Sequence, residues 1–225
     1  MKNFVVPALL LLLFSCKDPK KVKYDWDANH FYADYVKIYD GYGVKPYDST
    51  KLALQQFLKQ FPNDAKAWAF YGKILLEHDS TEAARAAYVK VIQYDSLMSW
   101  GYFGLGVIAN MEQHYLQADS FLRIARKMGD TSLLLSLNLA TANVMQKQGT
   151  EGRPFIEAIA KKDSLDDFMK EHLAVLFTEL NDKADADKWT QKVLAPDSFF
   201  KQYEAGEISA AAFFNAKKHA YDGRK

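Results

Sequence analysis

One recurring spacing, of about 34 residues, constrains this chain more than any other feature. Gly72 and Ala84 form a pair of small residues. The pair recurs at Gly106 and Ala118, at Ala140 and Gly152, and at Ala174 and Ala186, each time after the same interval. A period of that length marks one supersecondary unit that cannot bury its apolar face alone, so successive units must stack. From Asp64 onward apolar residues return at three- and four-residue intervals, and no long alternating run occurs, so the units are helical. Unit boundaries recur as Asp95-Ser96, Asp130-Thr131, Asp163-Ser164 and Asp197-Ser198, side chains suited to capping the exposed N–H groups of a following helix.

The first unit, Ala65–Met98, carries Trp68, Tyr71, Gly72, Leu75, Ala84, Tyr88 and Val91 in a pattern that resembles the tetratricopeptide repeat. Ser99–Ser132 matches it with Tyr102, Leu105, Gly106, Ala109, Ala118, Leu122 and Ala125. Leu133–Asp166 follows with Leu139, Ala140, Gly152, Ile156 and Ile159, and Asp167–Phe200 with Leu173, Ala174, Phe177, Ala186 and Val193. The resemblance implies an all-α fold: a right-handed superhelix of tetratricopeptide-type antiparallel helical hairpins with terminal capping helices. The small residues sit where the two helices of a hairpin cross, and the large ones fill the hairpin core. Four repeats then span 64–200.

The flanks are less regular. Residues 25–63 read as a degenerate N-terminal helical unit, with a helix over 28–39 and a second running from a cap at Asp48-Ser49-Thr50 to Phe61. Trp26, Phe31, Tyr32, Tyr35, Tyr39 and Tyr42 crowd this region, either as a contact surface or as a helix packed on the end of the solenoid. In the third repeat a helix begins near Gly149–Pro154, with Pro154 in its first turn. Residues 201–225 read as a C-terminal capping hairpin, because Gly206 suits a helix end and Ser209 a helix start. Gly206, Ile208, Ser209 and Phe213 are also similar to the core of the short SHOCT motif, and an oligomerisation role is the alternative to a cap.

The N-terminus is of a different kind. Lys2 precedes an apolar run from Phe4 to Phe14, shorter than the about 20 residues a membrane span needs. The run ends Leu13-Phe14-Ser15-Cys16, which resembles the lipobox of bacterial lipoproteins, and Cys16 is the only cysteine. The resemblance implies a signal peptide over 1–15, lipid attachment at Cys16 and a tether over 16–24. Two or three acyl chains, at about 0.8 kcal/mol per buried CH₂, hold a protein firmly to a membrane. Lys17 after the cysteine, where some bacteria use Asp for inner-membrane retention, favours the outer membrane. The expected place is therefore the cell envelope, with the body in the periplasm or at the cell surface.

Composition excludes several classes. A net charge of +1 gives no basic surplus for nucleic acid. The five histidines, His30, His78, His114, His172 and His219, fall in or near different helices at no metal-ligand spacing, so each is expected at the surface or in a groove. No Gly-x-Ser-x-Gly elbow or P-loop occurs. Gly101-Tyr-Phe-Gly-Leu-Gly106 mimics a phosphate loop but lies inside an expected helix with no strand before it. Asp166-Asp167 and Asp185-Ala-Asp187 stand at helix starts, where the dipole favours carboxylates. No cofactor, metal or catalytic residue is expected, and the chain does not read as an enzyme.

What such repeats offer is a groove lined by the first helix of each hairpin. By the resemblance its lining is Lys66, Ala69, Lys73, Leu76 and Glu77 in the first repeat; Trp100, Phe103, Val107, Asn110 and Met111 in the second; and Leu134, Leu137, Thr141, Val144 and Met145 in the third. Phe168, Glu171, Val175, Thr178 and Glu179 complete it in the fourth. The middle is apolar and the ends charged, which suits an apolar, helical partner segment, unless the chain's own N-terminal aromatic helix covers Trp100 and Phe103. The expected function is a membrane-anchored scaffold or adaptor with a protein or peptide partner in the envelope. The tetratricopeptide subunit of the outer-membrane β-barrel assembly machine and the pilotin-like subunits of type IV pilus assembly share this layout. The alternative is a surface or periplasmic ligand-binding lipoprotein serving an uptake or secretion system.

Overall fold

The computed structural model describes residues 35–147 and 149–217, and among these it is helices joined by short turns. Cys16, the signal and tether segments, His30 and His219 lie outside the described residues. Residues 35–40 are helical and are followed by α1 (Tyr47–Gln60). Four hairpins come next: α2 (Ala65–Glu77) with α3 (Thr81–Tyr94), α4 (Ser99–Met111) with α5 (Tyr115–Lys127), α6 (Leu133–Met145) with α7 (Gly149–Ala160), and α8 (Asp167–Glu179) with α9 (Lys183–Thr190). Two short helices, α10 (Ser198–Glu204) and α11 (Ala210–Ala216), end the described chain. None of these helices is long and apolar enough to cross a membrane.

The repeat period is written into the backbone as well as the sequence. Asp79, Gln113, Lys147 and Asn181, spaced like the small residues, all have left-handed φ between 56° and 61°. Each sits just past the first helix of its hairpin. In three of the four turns the next N–H reaches back to the helix: Ser80 to the Leu75 carbonyl, His114 to Ala109 and Asp182 to Phe177, at 2.8–2.9 Å. This is the Schellman closure, which satisfies carbonyls the helix end leaves open. Six helix starts are fixed by side chains: Asp64, Ser132, Asp166, Asp182, Asp197 and Ser209 each accept from the N–H three residues on.

The small residues stand where helices meet. A Cβ on Gly106 would lie 2.6 Å from Leu122, one on Gly152 2.9 Å from Val144, and one on Gly72 3.0 Å from the Tyr88 ring. Ala84, Ala118, Ala140 and Ala174 are buried at the equivalent crossings. The core is a chain of clusters, each shared between neighbouring units; one joins Ala109, Leu122, Leu135 and Leu139, another Ile156, Leu173, Phe177, Trp189 and Phe213. Ion pairs tie the second helix of one unit to the next unit: Arg85 to Glu112, Arg123 to Glu151 at 2.9 Å and Arg153 to Asp182 at 2.9 Å.

Three boundaries differ from the sequence reading. The helix α1 begins at Tyr47, ahead of Asp48-Ser49-Thr50, because the Pro46 carbonyl already accepts from Ser49 and Thr50. Pro154 lies in the interior of α7 rather than in its first turn. That helix must start early enough to bring Gly152 against α6, and only the bond to the Thr150 carbonyl is forgone. The terminal hairpin starts at Ser198, inside the span read as the fourth repeat, because α9 stops at Thr190. Gly206, at φ +73°, ends α10, and Ser209 caps α11 as expected.

Candidate binding trough

The first helices of the four hairpins line a single cavity of about 1970 Å³. Fourteen of the twenty groove residues read from sequence border it: Lys66, Ala69, Lys73, Leu76 and Glu77, then Trp100, Phe103, Val107, Asn110 and Met111, then Leu134, Leu137, Thr141 and Phe168. Val144, Thr178 and Glu179 do not, nor do the buried Glu171 and Val175. Met145 does not either. It is half-buried against the core shared by the third and fourth units, one turn beyond the cavity wall. Trp100 is 50% exposed, a large aromatic surface open to the trough. Phe103 is half-buried against the core between the second and third units. Leu137 and Thr141 are buried, and Thr141 donates to the Leu137 carbonyl at 3.0 Å. Asn110 reaches the Asn138 carbonyl and side-chain oxygen at 3.0 and 3.2 Å, tying α4 to α6 across the trough floor.

Sequence reasoning missed a contributor from the second helix of the first hairpin. Tyr88, on α3, passes its ring between Gly72 and Gly104, where added Cβ atoms would lie 3.0 and 2.4 Å away, and so reaches the trough. Burial, with the Glu77 carboxylate nearby, pushes its hydroxyl well above the ordinary tyrosine range. Glu77 also pairs with Lys73 at 3.1 Å. The missing signal was Gly104, which no repeat position requires to be small.

The two ends of the trough are closed by flanking helices. At the first end Tyr35, Val36 and Tyr39 form the wall. Tyr39 and Tyr42 pack on Phe70 with ring centroids 5.1 and 5.3 Å apart, and Tyr35 on Phe57 at 6.0 Å. The described part of the aromatic region therefore caps the first unit and leaves Trp100 uncovered. The helix read over 28–39 otherwise lies outside the described residues.

At the far end α10 and α11 cover the groove face of α8. Glu171 and Val175, read as open groove positions, are 1% and 0% exposed. Lys217, itself 3% exposed, places its ammonium between Glu171 and Asp197 and over the rings of Phe168 and Phe213. Burial pushes the Glu171 carboxyl above the ordinary range, and the Lys217 bond only partly offsets it. Burial acts the same way on Asp197, but there the bonds from Lys217 and the Phe200 N–H outweigh it, and the carboxyl lies below the ordinary range. Ala211, Phe214 and Asn215 of α11 face the cavity, and α11 touches α4 across it. Phe200 and Phe213 are fully buried beneath.

The histidines divide. His78 stacks on Tyr47 at 3.6 Å and His114 is exposed. His172, expected at the surface or in the groove, borders the cavity but is 4% exposed. Burial drives its pKa down to about 3, while its Nδ1 lies 2.7 Å from the Phe168 carbonyl. It is a neutral core residue, because the terminal hairpin covers it. Among the described residues no group of three His, Cys, Asp or Glu side chains is placed to hold a metal ion.

No protein-family model and no curated protein matches the chain. Solved structures do match. PilF of Pseudomonas aeruginosa aligns over 80% of this chain and 81% of its own, with 16% identity and a TM-score of 0.62. The tetratricopeptide protein TTC0263 of Thermus thermophilus aligns over 78% and 97%, with 18% identity and a TM-score of 0.61. YrrB, described as a tetratricopeptide protein with an unusual peptide-binding site, aligns over 76% and 84%, with 18% identity and a TM-score of 0.54. The fold is that of a tetratricopeptide-type helical solenoid.

Proposed function

We propose that this protein is a lipid-anchored adaptor of the bacterial cell envelope that holds a helical segment of a partner protein in its trough. The observation that carries the reading is the half-exposed Trp100 on the wall of a mainly apolar trough of about 1970 Å³. A helix about 10 Å across, rising 1.5 Å per residue, fills roughly 120 Å³ per residue, so such a trough accommodates about 16 residues. Small-molecule sites usually enclose about 300–1,000 Å³, which makes a metabolite a poor match for this volume. Aromatic and methionine side chains on an open face are the usual anchors of such contacts. A peptide site is described for the YrrB structure, which shares the fold. Anchoring rests on the lipobox-like Leu13-Phe14-Ser15-Cys16 and on Cys16 being the only cysteine.

Two experiments test the reading. In-cell crosslinking and capture of the native protein are compared with Trp100→Ala and Trp100→Ala/Phe103→Ala variants; an envelope protein held by the native form and lost from both variants supports the trough, whereas equal capture removes it. Metabolic labelling with palmitate tests the anchor: label absent from Cys16→Ser but present in the native chain supports lipidation, and label absent from both refutes it.

A further inference from the structure

The charged groups of the trough are not balanced. Asp40, Asp64, Glu77, Asp95 and Asp130 border it, against Lys66, Lys73 and Lys217. Lys73 is paired with Glu77, and Lys217 is turned between Glu171 and Asp197. Four aspartates then face one further lysine, Lys66, although the whole chain carries a net charge of +1. The imbalance is local, not a reflection of overall composition.

Three of these aspartates stand at the unit boundaries, though not at one repeat position. Asp64, Asp95 and Asp130 stand just before α2, α4 and α6, so one edge of the trough carries a carboxylate at each of its first three units. Each accepts from a nearby backbone N–H, of Ala67, Leu97 and Ser132 in turn, at 2.6–3.1 Å. Asp64 thereby caps α2, and Asp95 and Asp130 close turns ahead of α4 and α6. That role explains a short polar side chain but not its charge, since Asn serves as well as Asp in caps and turns. No ion pair with a described lysine or arginine engages any of the three.

We infer that the trough takes an amphipathic helix whose one flank is basic, with its apolar face on Trp100, Phe103 and Leu134 and its lysines or arginines along the Asp64–Asp95–Asp130 edge. This rests on the adaptor reading above and specifies its partner. Neighbouring helices pack about 10 Å apart, and a helix rises 1.5 Å per residue, so the basic residues recur roughly every seven positions, on one face. Such edge contacts steer and orient a partner more than they hold it, and salt weakens them.

The test uses the full chain in a neutral detergent and three fluorescent helical peptides of about 16 residues, the length the trough accommodates. The peptides share one leucine–phenylalanine face and carry Lys, Gln or Glu at the flanking positions. Anisotropy titrations are run at low and high salt. The expected result is a Lys-edged peptide bound about tenfold tighter than the Glu-edged one at low salt, with Gln between and the gap closing at high salt. The gap also closes in the Asp64→Asn/Asp95→Asn/Asp130→Asn variant, whose helix caps are kept and whose circular dichroism matches the native chain. Equal affinities for all three peptides overturn the basic-flank inference and leave the trough reading standing. A Lys preference that persists in the triple variant also overturns it. Binding of none of the peptides overturns both.

Discussion

Gly104→Ala tests the packing of the trough most directly, because two effects of known sign compete there. Gly104 is in the middle of α4, where glycine is worse than alanine by about 1 kcal/mol, so helix propensity alone makes the substitution stabilising. The structure predicts the opposite. The added methyl would lie 2.4 Å from three carbons of the Tyr88 ring. Reaching ordinary contact requires a shift of about 1 Å, and the buried ring has Gly72 close on its other side. Overpacking costs about 1–3 kcal/mol, and a 2.4 Å approach to a buried ring held on both sides belongs at the upper end; less the about 1 kcal/mol propensity gain, the net loss is about 2 kcal/mol. Urea unfolding followed by far-ultraviolet circular dichroism measures it as a lowered midpoint at unchanged slope. The companion is Tyr88→Leu: combined with it, Gly104→Ala should cost little or help, because the methyl then enters vacated space. A Gly104→Ala protein as stable as the native one, or more so, would refute the account of Tyr88 threading between the two glycines. Equal effects of Gly104→Ala with and without Tyr88→Leu would do the same.

Other expectations follow from the same geometry. His172 has its folded pKa depressed to about 3, so it contributes stability above its unfolded value near 6.5 that is lost as pH falls toward the folded one. His172→Leu should therefore flatten the fall in thermal stability between pH 6.5 and 4, by up to about 1.4 kcal/mol per pH unit where that residue dominates. Lys217→Met leaves Glu171 buried without its cation and should cost about 3–5 kcal/mol at pH 7. With the lowering effect of Lys217 removed, the already raised Glu171 pKa rises further, so part of the loss returns on acidification; hydrogen exchange over 198–216 reads it. Gln113→Gly should stabilise by about 0.5–1 kcal/mol, because its φ of 61° is cheap only for glycine, and a thermal melt checks it. Trp100→Ala, being half exposed, should change the urea midpoint by no more than about 0.5 kcal/mol equivalent, which separates loss of binding from loss of fold.

The sequence by itself determined the repeat, the helices and their crossings. Small residues at the repeat interval are a local demand: a hairpin whose helices approach closely has no room for a side chain there, so the requirement shows in each unit independently. Caps at Asp197 and Ser209, and the turn at Gly206, were legible for the same reason, since each acts on backbone within three residues of itself. The other boundary pairs, Asp95-Ser96, Asp130-Thr131 and Asp163-Ser164, end one or two residues ahead of the cap positions, which are Met98, Ser132 and Asp166. Fourteen of twenty groove residues followed from the register alone. Only the tertiary structure decided which of the repeat's groove positions are open. Glu171 reads as an exposed charge at a groove position and is buried, because the hairpin that begins at Ser198 folds back over it, with Lys217 just beyond that hairpin as its cation. His172 becomes a neutral core residue by the same covering, and Met145 joins the core because the third and fourth units close on it. Tyr88 enters the trough because two glycines in different units leave the gap it fills. Each of these outcomes depends on chain segments far apart in sequence meeting in space, and a period read along the chain carries no information about which distant segment returns to cover it.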